Sequence, residues 1–220
     1  MCVKCDYTIH RASHHFGWNR DFEPALTAKP GSTIHFECLD SSGGQFDANS
    51  TVEHVKTLDF GKVNPVTGPV YVEGARPGDA LKITLRHFEP SGLGWTANIP
   101  GFGLLADQFK EPALHIWKYD AASMAPALYG PVEVEGALFS IGDTHAAQGD
   151  GEVCGTAIES RMDVEATIEL VKDARLESPR FTTPGPVTRH LDEAGYEVTT
   201  GVGSDLMTAA RESVMRMVDL

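Results

Sequence analysis

The sequence predicts a mainly β fold, sandwich- or barrel-like and of α+β class, with a helix at its C-terminal end. Three observations predict it. Segments of alternating apolar and polar residues recur along the chain, most of them opened by a glycine turn. The stretches between them are rich in Gly, Pro, Ser and Asp, residues that supply tight turns. Only the segment 204–220 carries apolar residues at clear helical spacing.

The elements follow in order. KPGSTIHFECLD (29–40) turns at its Pro-Gly pair and then alternates, with His35 and Glu37 on one face. SSGGQFD (41–47) and NPVTGPV (64–70) read as turn-rich loops. RPGDALKITLRH (76–87) repeats the first pattern, with Leu81, Ile83 and Leu85 facing one way and Lys82, Thr84 and Arg86 the other. The likeness of the two suggests a repeated β unit. EPSGLGWTANIPGFGLL (89–105) reads as a long irregular loop of the kind that often carries function. EVEGALFSIGD (133–143) and VEATIELVKD (164–173) restore the alternation, the second with Val164, Ala166, Ile168 and Leu170 on one side. SDLMTAARESVMRMVDL (204–220) is the helix, with Ser204 as N-cap and Leu206, Ala210, Val214 and Met217 along one face. No linker or compositional break divides the chain, so residues 1–220 read as one domain.

Composition narrows the function. A net charge of −13 repels a phosphate backbone and an anionic membrane surface alike, and no cluster of Lys and Arg offsets it. No apolar run reaches the roughly 18 residues that cross a bilayer. The first residues, MCVKCDYTIHRASHHFGWN, lack the apolar core and cleavage site of a signal peptide. The expectation is a cytoplasmic protein that binds neither nucleic acid nor membrane and keeps its four cysteines reduced. Cys2 and Cys5 form a lone C-x-x-C, which suits a metal or redox pair less well than two incidental thiols.

The chemistry concentrates in GDTHAAQGDGEVCGTAIE (142–159). On an extended segment Asp143 and His145 share a face, and the turn that follows lets Asp150 and Glu152 return toward them. Carboxylate with imidazole suits Zn²⁺ or a similar ion, whereas an all-oxygen set suits Ca²⁺ or Mg²⁺. Gly149 and Gly151 leave backbone N–H groups open to a small substrate or its oxyanion. The same residues also suit a polar hairpin whose Asp and Gly simply make turns. In HFECLDSSGGQFD (35–47), Glu37 is a ligand, a general base or a solvated face residue, and Asp40 and Gln45 follow on the turn. His14, His15 and Trp18 form a third cluster, either ligating or incidental. Cys154 offers a thiol nucleophile, although neighbouring carboxylates blunt a thiolate and a buried strand cysteine is the plainer reading. Ser41 and Ser42 lack the lysine context of serine amidases, and no G-x-S-x-G, P-loop or dinucleotide motif is present.

HFGWN, PGSTIHFECLDSSGGQ, NPVTGPVYVEGARPGDALKITL, IPGFGLLADQF and, above all, VEGALFSIGDTHAAQGDGEVCGTAIE resemble the acetamidase/formamidase family, as does YEVTTGVGSDLMTAAR. The resemblance runs from about residue 8 to residue 220. It implies a β-rich, metal-associated hydrolase that splits short aliphatic amides into carboxylate and ammonia, working as a homo-oligomer. It places the site at Asp143, His145, Gln148, Asp150 and Glu152, with Glu37, Asp40 and Gln45 from the earlier cluster. Within that site and its glycines, Glu37, Asp150 and Glu152 are expected to act in catalysis and Gln45, Gln148, Gly149 and Gly151 in substrate binding. Asp40, Asp143 and His145 would hold the metal, zinc by preference and calcium as the alternative. Trp18, Trp95 and Phe102 are candidate walls of the acyl pocket. The resemblance also implies a shortened member, without a segment near residue 130 and without the family's region after 220. The alternative function is therefore an inactive shortened homologue that binds metal or small amides without turnover.

Overall fold

The computed structural model describes residues 4–119, 127–148, 152, 154–182 and 197–218, with backbone only at 127–130. The chain opens with strands β1 (Tyr7–Ile9), β2 (His14–His15), β3 (Leu26–Ala28) and β4 (Ser32–Glu37). Helix α1 (Val52–Lys56) and a 3-10 turn at Phe60–Lys62 come next. Strands β5 (Val66–Val72), β6 (Ala80–Pro90), β7 (Leu93–Asn98) and β8 (Ala113–Lys118) follow. Beyond them lie β9 (Ala127–Pro131), β10 (Phe139–Gly142), β11 (His145–Ala147) and β12 (Ile158–Glu159). The last elements are β13 (Met162–Val171), β14 (Arg180–Thr182), β15 (Glu197–Thr199) and helix α2 (Leu206–Val218). The fold is mostly strand with little helix, an α+β architecture as the alternation predicts.

The strands form three sheets. The largest has the order β1-β4-β13-β6-β9-β14-β15. The second runs β10-β5-β2 with β3 alongside β5, and the third runs β11-β12-β7-β8. Gly31 and Gly78 adopt φ of +88° and +92°, a region that resists any side chain, and each turns the chain into a strand flanking β13. The two similar sequence segments thus hold equivalent places, both antiparallel to the same central strand.

Alternation decides which side of the main sheet is apolar. Ile34 and Phe36 from β4, Leu81 and Ile83 from β6, and Val164, Ala166 and Ile168 from β13 fall on one face. They meet Val70 and Val72 of β5, so the first two sheets pack face to face as a sandwich with one core. A smaller core of Phe46, Val55, Trp95, Ala97 and Ile99 sits against the third sheet. The opposite face of β13 is covered too: Glu165 and Thr167 are buried, and Thr167 Oγ1 meets Thr33 Oγ1 at 2.9 Å and accepts from Arg86 Nε at 2.9 Å.

Three expectations need correcting. Residues 64–70 are not simply a loop: Val66–Val72 forms β5, the centre of the second sheet. Glycine is needed there because a Cβ at Gly68 would come within 2.6 Å of Ser140 Oγ. Residues 89–105 are regular over their first half, where β6 runs to Pro90 and β7 spans Leu93–Asn98. Gly94 hides that strand from a pattern search, yet it lets β12 approach: a Cβ on it would lie 2.7 Å from Ile158 Cγ2. In α2 the cap is Asp205, whose carboxylate accepts from the Thr208 N–H at 2.9 Å and the Thr208 hydroxyl at 2.7 Å, not Ser204. The helix buries no residue, and its expected core face is open, with Leu206 at 87% exposure. Its inward side is polar instead: Thr199 Oγ1 donates to Ser213 O, Glu212 accepts from the Val202 N–H, and Arg216 pairs with Glu177.

Asp79 fastens the start of β6 to the end of β13. Its carboxylate accepts from Lys172 Nζ at 2.7 Å, Asp173 N at 3.1 Å and Arg76 N at 3.0 Å. The Lys172 ammonium, ahead of burial and the two backbone donors, sets the balance and holds the Asp79 carboxyl below its ordinary range. A carboxyl depressed in the folded state adds stability above its unfolded pKa and loses it as pH falls through the folded value. Asp79→Asn is therefore expected to lower the melting temperature near neutral pH, with the gap to the parent closing as acid protonates Asp79. Thermal melts of both chains from neutral to acidic pH check this. Phe36, wholly buried in the sandwich core, is expected to cost about 3–5 kcal/mol on replacement by alanine, read from urea unfolding.

Candidate functional site

The site lies where the chain passes from the sandwich to the third sheet. Strand β10 ends at Gly142, Asp143 and Thr144 make the link, and β11 starts at His145. Asp143 has φ of +53°, a conformation that Asp tolerates better than most residues and that folds the link back on itself. Register then does the assembling. His145 of β11 pairs with Glu159 of β12, and Glu159 pairs with Trp95 of β7. Residues opposite one another on adjacent strands bring their side chains together, so these three form a row across the sheet. Thr144 and Ser160 lock the row, with Ser160 N donating to Thr144 O at 3.0 Å and Thr144 Oγ1 donating to Ser160 O at 2.5 Å.

His145 Nε2 lies 3.3 Å from Asp143 Oδ1 and 3.1 Å from Glu159 Oε2. One ligand atom from each of the three residues falls within 4.8 Å of the others, the geometry of a metal centre. Gln148 Oε1 stands 2.8 Å from His145 Nδ1. A carbonyl oxygen only accepts, so Nδ1 carries the proton and Nε2 faces the carboxylates, the usual arrangement of a ligating imidazole. Glu159 is 3% exposed; its Oε1 accepts from the Ala157 N–H at 3.0 Å, while Oε2 is buried with no donor in hydrogen-bond geometry among the described residues. Its approach to His145 is electrostatic rather than directional. Acceptance by Asp143 first and by the nearby Glu159 carboxylate second, against desolvation, pushes the His145 imidazole up to about 11. The field that holds a proton there is one that also favours a cation. A buried carboxylate oxygen lacking a donor, beside an oriented imidazole, fits a divalent ion.

These residues border a cleft of about 220 Å³. Trp95, Ile99, Phe60 and Phe102 give it apolar walls, and Glu152, at φ of +39°, adds a further carboxylate. Trp95 is fixed from behind: its Nε1–H donates to Asp40 Oδ1 at 3.1 Å, and its ring meets Phe46 edge-on at 4.6 Å.

Of the sequence-derived site residues, the structure brings Asp143, His145, Gln148 and Glu152 to one place. Gly149, Asp150 and Gly151 lie outside the described residues, as does Cys2. Asp40 is not in the carboxylate–imidazole cluster; its Oδ1 also accepts from Ser42 N at 2.8 Å and from Ser42 Oγ, which makes it the anchor of the 40–46 turn and of Trp95. Gln45 is fully used by the backbone, its Nε2 donating to Ser42 O and Asp59 O and its Oε1 accepting from Asp59 N. Glu37 binds His10 Nδ1 at 3.1 Å and Arg11 Nε at 3.4 Å, tying the N-terminal segment to the sheet. His14 and His15 contact backbone carbonyls, His15 also contacts Ser140, and Trp18 borders a separate recess. Cys154 Sγ points to Thr156 O at 3.3 Å. The residue that sequence reasoning missed is Glu159; its one signal is a carboxylate at the end of the apolar TAIE stretch.

Comparison with known proteins gives a consistent picture. The sequence profile of the Acetamidase/Formamidase family matches residues 4–127 and 120–220. A formamidase of Methylophilus methylotrophus is 33% identical over 111 residues, covering 48% of this chain and 27% of that protein. An acetamidase of Mycolicibacterium smegmatis is 31% identical over 118 residues, covering 48% of this chain and 29% of that protein. In these alignments the chain thus spans less than a third of either relative. The crystal structure of a predicted acetamidase/formamidase from Thermoanaerobacter tengcongensis superimposes with a TM-score of 0.85 at 24% identity, over 97% of this chain and 82% of that one. That likeness establishes the fold. Among the described residues, no helix is long and apolar enough to cross a membrane.

The anchoring role of Asp40 is open to direct measurement. Asp40→Ala leaves the Trp95 indole N–H and the Ser42 groups without their acceptor, which is expected to cost about 1–3 kcal/mol. Urea unfolding gives that cost, and a red shift of tryptophan emission reports the loosened ring.

Proposed function

Because the chain belongs to the acetamidase/formamidase family, we propose that it hydrolyses short aliphatic amides to a carboxylate and ammonia at the cleft beside Asp143, His145 and Glu159. The observation that carries the reading is the buried Glu159 Oε2, without a hydrogen-bond donor among the described residues and 3.1 Å from an imidazole whose other nitrogen is already engaged. Two carboxylates and one imidazole suit zinc better than calcium. A zinc ion held by these three side chains would supply Lewis acidity, acidifying water and polarising an amide carbonyl.

The chain's own groups do the rest. Gln148 fixes the tautomer and orientation of His145. Glu152, on the same cleft, accepts a proton from the attacking water and returns it to the departing nitrogen, so that amide and water leave as carboxylic acid and ammonia, which ionise to carboxylate and ammonium. Trp95, Ile99 and Phe60 exclude solvent and hold the acyl group against the polar corner. Asp150 and the backbone N–H groups of Gly149 and Gly151 remain part of the proposed machinery, as further base and oxyanion donors, and lie outside the described residues. Glu37, Asp40 and Gln45 support this site by holding its surroundings. A homo-oligomeric state and a cytoplasmic location belong to the same proposal.

The test is ammonia release from formamide and acetamide by the purified chain, loaded in turn with Zn²⁺ and Ca²⁺. Zinc-dependent release is expected. Elemental analysis of His145→Ala is expected to show metal affinity at least about tenfold weaker than in the parent. Unchanged metal content would remove His145 from the ligand set, and a zinc-loaded chain that releases no ammonia would be a binder without turnover.

A further inference from the structure

Phe102 sits on the same cleft as Asp143, His145 and Glu159. Exposure orders the cleft: Glu159 at 3% lies at its floor, and Phe102 at 42% stands with Phe60 at its mouth. The ring is held from two sides. On one side it lies on the backbone of Gly155, where an added Cβ would fall 2.6 Å from Phe102 Cδ1 and 3.2 Å from Cζ. On the other, Phe60 packs against it with ring centroids 5.9 Å apart. The backbone enforces this seat. Gly101 and Gly103 flank Phe102 at φ of +82° and +94°, and the Phe102 N–H donates to Ile99 O at 3.0 Å. The chain therefore doubles back immediately after β7, throwing the ring toward the cleft rather than away from it. Neither glycine conformation suits a side chain, so the sequence G-F-G specifies both the turn and the position of the ring.

An amide whose carbonyl meets the carboxylate–imidazole corner at the floor must run its acyl chain outward, past Trp95 and Ile99, to the mouth. There a longer chain meets the Phe102 ring, braced by Phe60 on one side and by Gly155 beneath. At about 220 Å³ the cleft is below the usual range for drug-sized ligands, which leaves little room around that obstacle. We infer that Phe102, seated on Gly155, is the specificity-determining residue that sets the acyl chain length accepted by the cleft. The inference rests on the proposed amide hydrolysis at this site. It adds what that reading lacks, a single side chain on which chain-length preference depends.

The experiment compares the zinc-loaded parent with Phe102→Ala and Phe102→Trp on acetamide, butyramide and hexanamide. Turnover is read as ammonia release, and binding independently by saturation-transfer NMR on the same amides. Shortening the ring to a methyl group opens the mouth, so Phe102→Ala is expected to raise the hexanamide-to-acetamide ratio of kcat/KM about tenfold or more. Phe102→Trp is expected to lower it, and the NMR binding ratio should move in the same directions. Parent turnover tests the amidase reading, whereas the ratio between variants tests the inference. If no variant turns over, the amidase reading fails and the NMR ratio alone decides the role of Phe102. An unchanged ratio in folded variants overturns the inference, as does the absence of amide binding in every variant.

Discussion

Strand β13 is paired along its whole length by β6 on one edge and over residues 163–168 by β4 on the other. One of its faces feeds the sandwich core and the other buries Glu165 and Thr167, so the strand has no exposed middle. Everything functional hangs from it. Only Ser160 and Arg161 separate β13 from β12, so the most constrained strand of the fold delivers Glu159 to the site. Two other crossings occur alongside, from β6 through Ser91 and Gly92 into β7, and from β10 through Asp143 and Thr144 into β11. Ser160 joins the crossings: its hydroxyl contacts Leu93 O, Ser91 Oγ and the Tyr119 hydroxyl. The candidate centre is thus built where three links from the two sandwich sheets into the third sheet coincide, which fixes its side chains more firmly than a loop would.

Electrostatics at that junction run against the character of the chain. With a net charge of −13 the protein has carboxylates to spare, and most of those described are exposed or paired. Glu159 is one of the buried ones, on a strand inserted between β11 and β7, with Oε2 shielded from water. His145 answers that charge with a strongly raised proton affinity. Left-handed conformations at Asp143 and Glu152 mark the same place, a local cost that the surrounding strands sustain.

The parts legible in the sequence were those whose partners are near or whose period is long. β4, β6 and β13 show their alternation over six or more residues, and Asp143 with His145 is visible from spacing alone. β7 and β5 were read as loops because Gly94 and Gly68 interrupt the pattern, although each glycine is required by a neighbour that only the tertiary fold supplies. Glu159 escaped because β12 is two residues long and its relation to His145 is one of register, not of distance along the chain. Asp40 and Gln45 stand in a conspicuous motif where a glycine-rich turn needs side chains to satisfy its backbone, and these two do so.

Helix α2 has a consequence of another kind. Its apolar stripe faces outward, and what holds it to β15 and the 173–180 segment is a handful of polar contacts centred on Ser213, Glu212 and Arg216. Such contacts add little free energy in water, and counter-ions weaken them further. The C-terminal end is accordingly a separate unit of opening, released at lower free energy than the sandwich, and its amides exchange with solvent while those of β13 stay protected. Ionic strength acts on this helix first and leaves the site at the other junction in place.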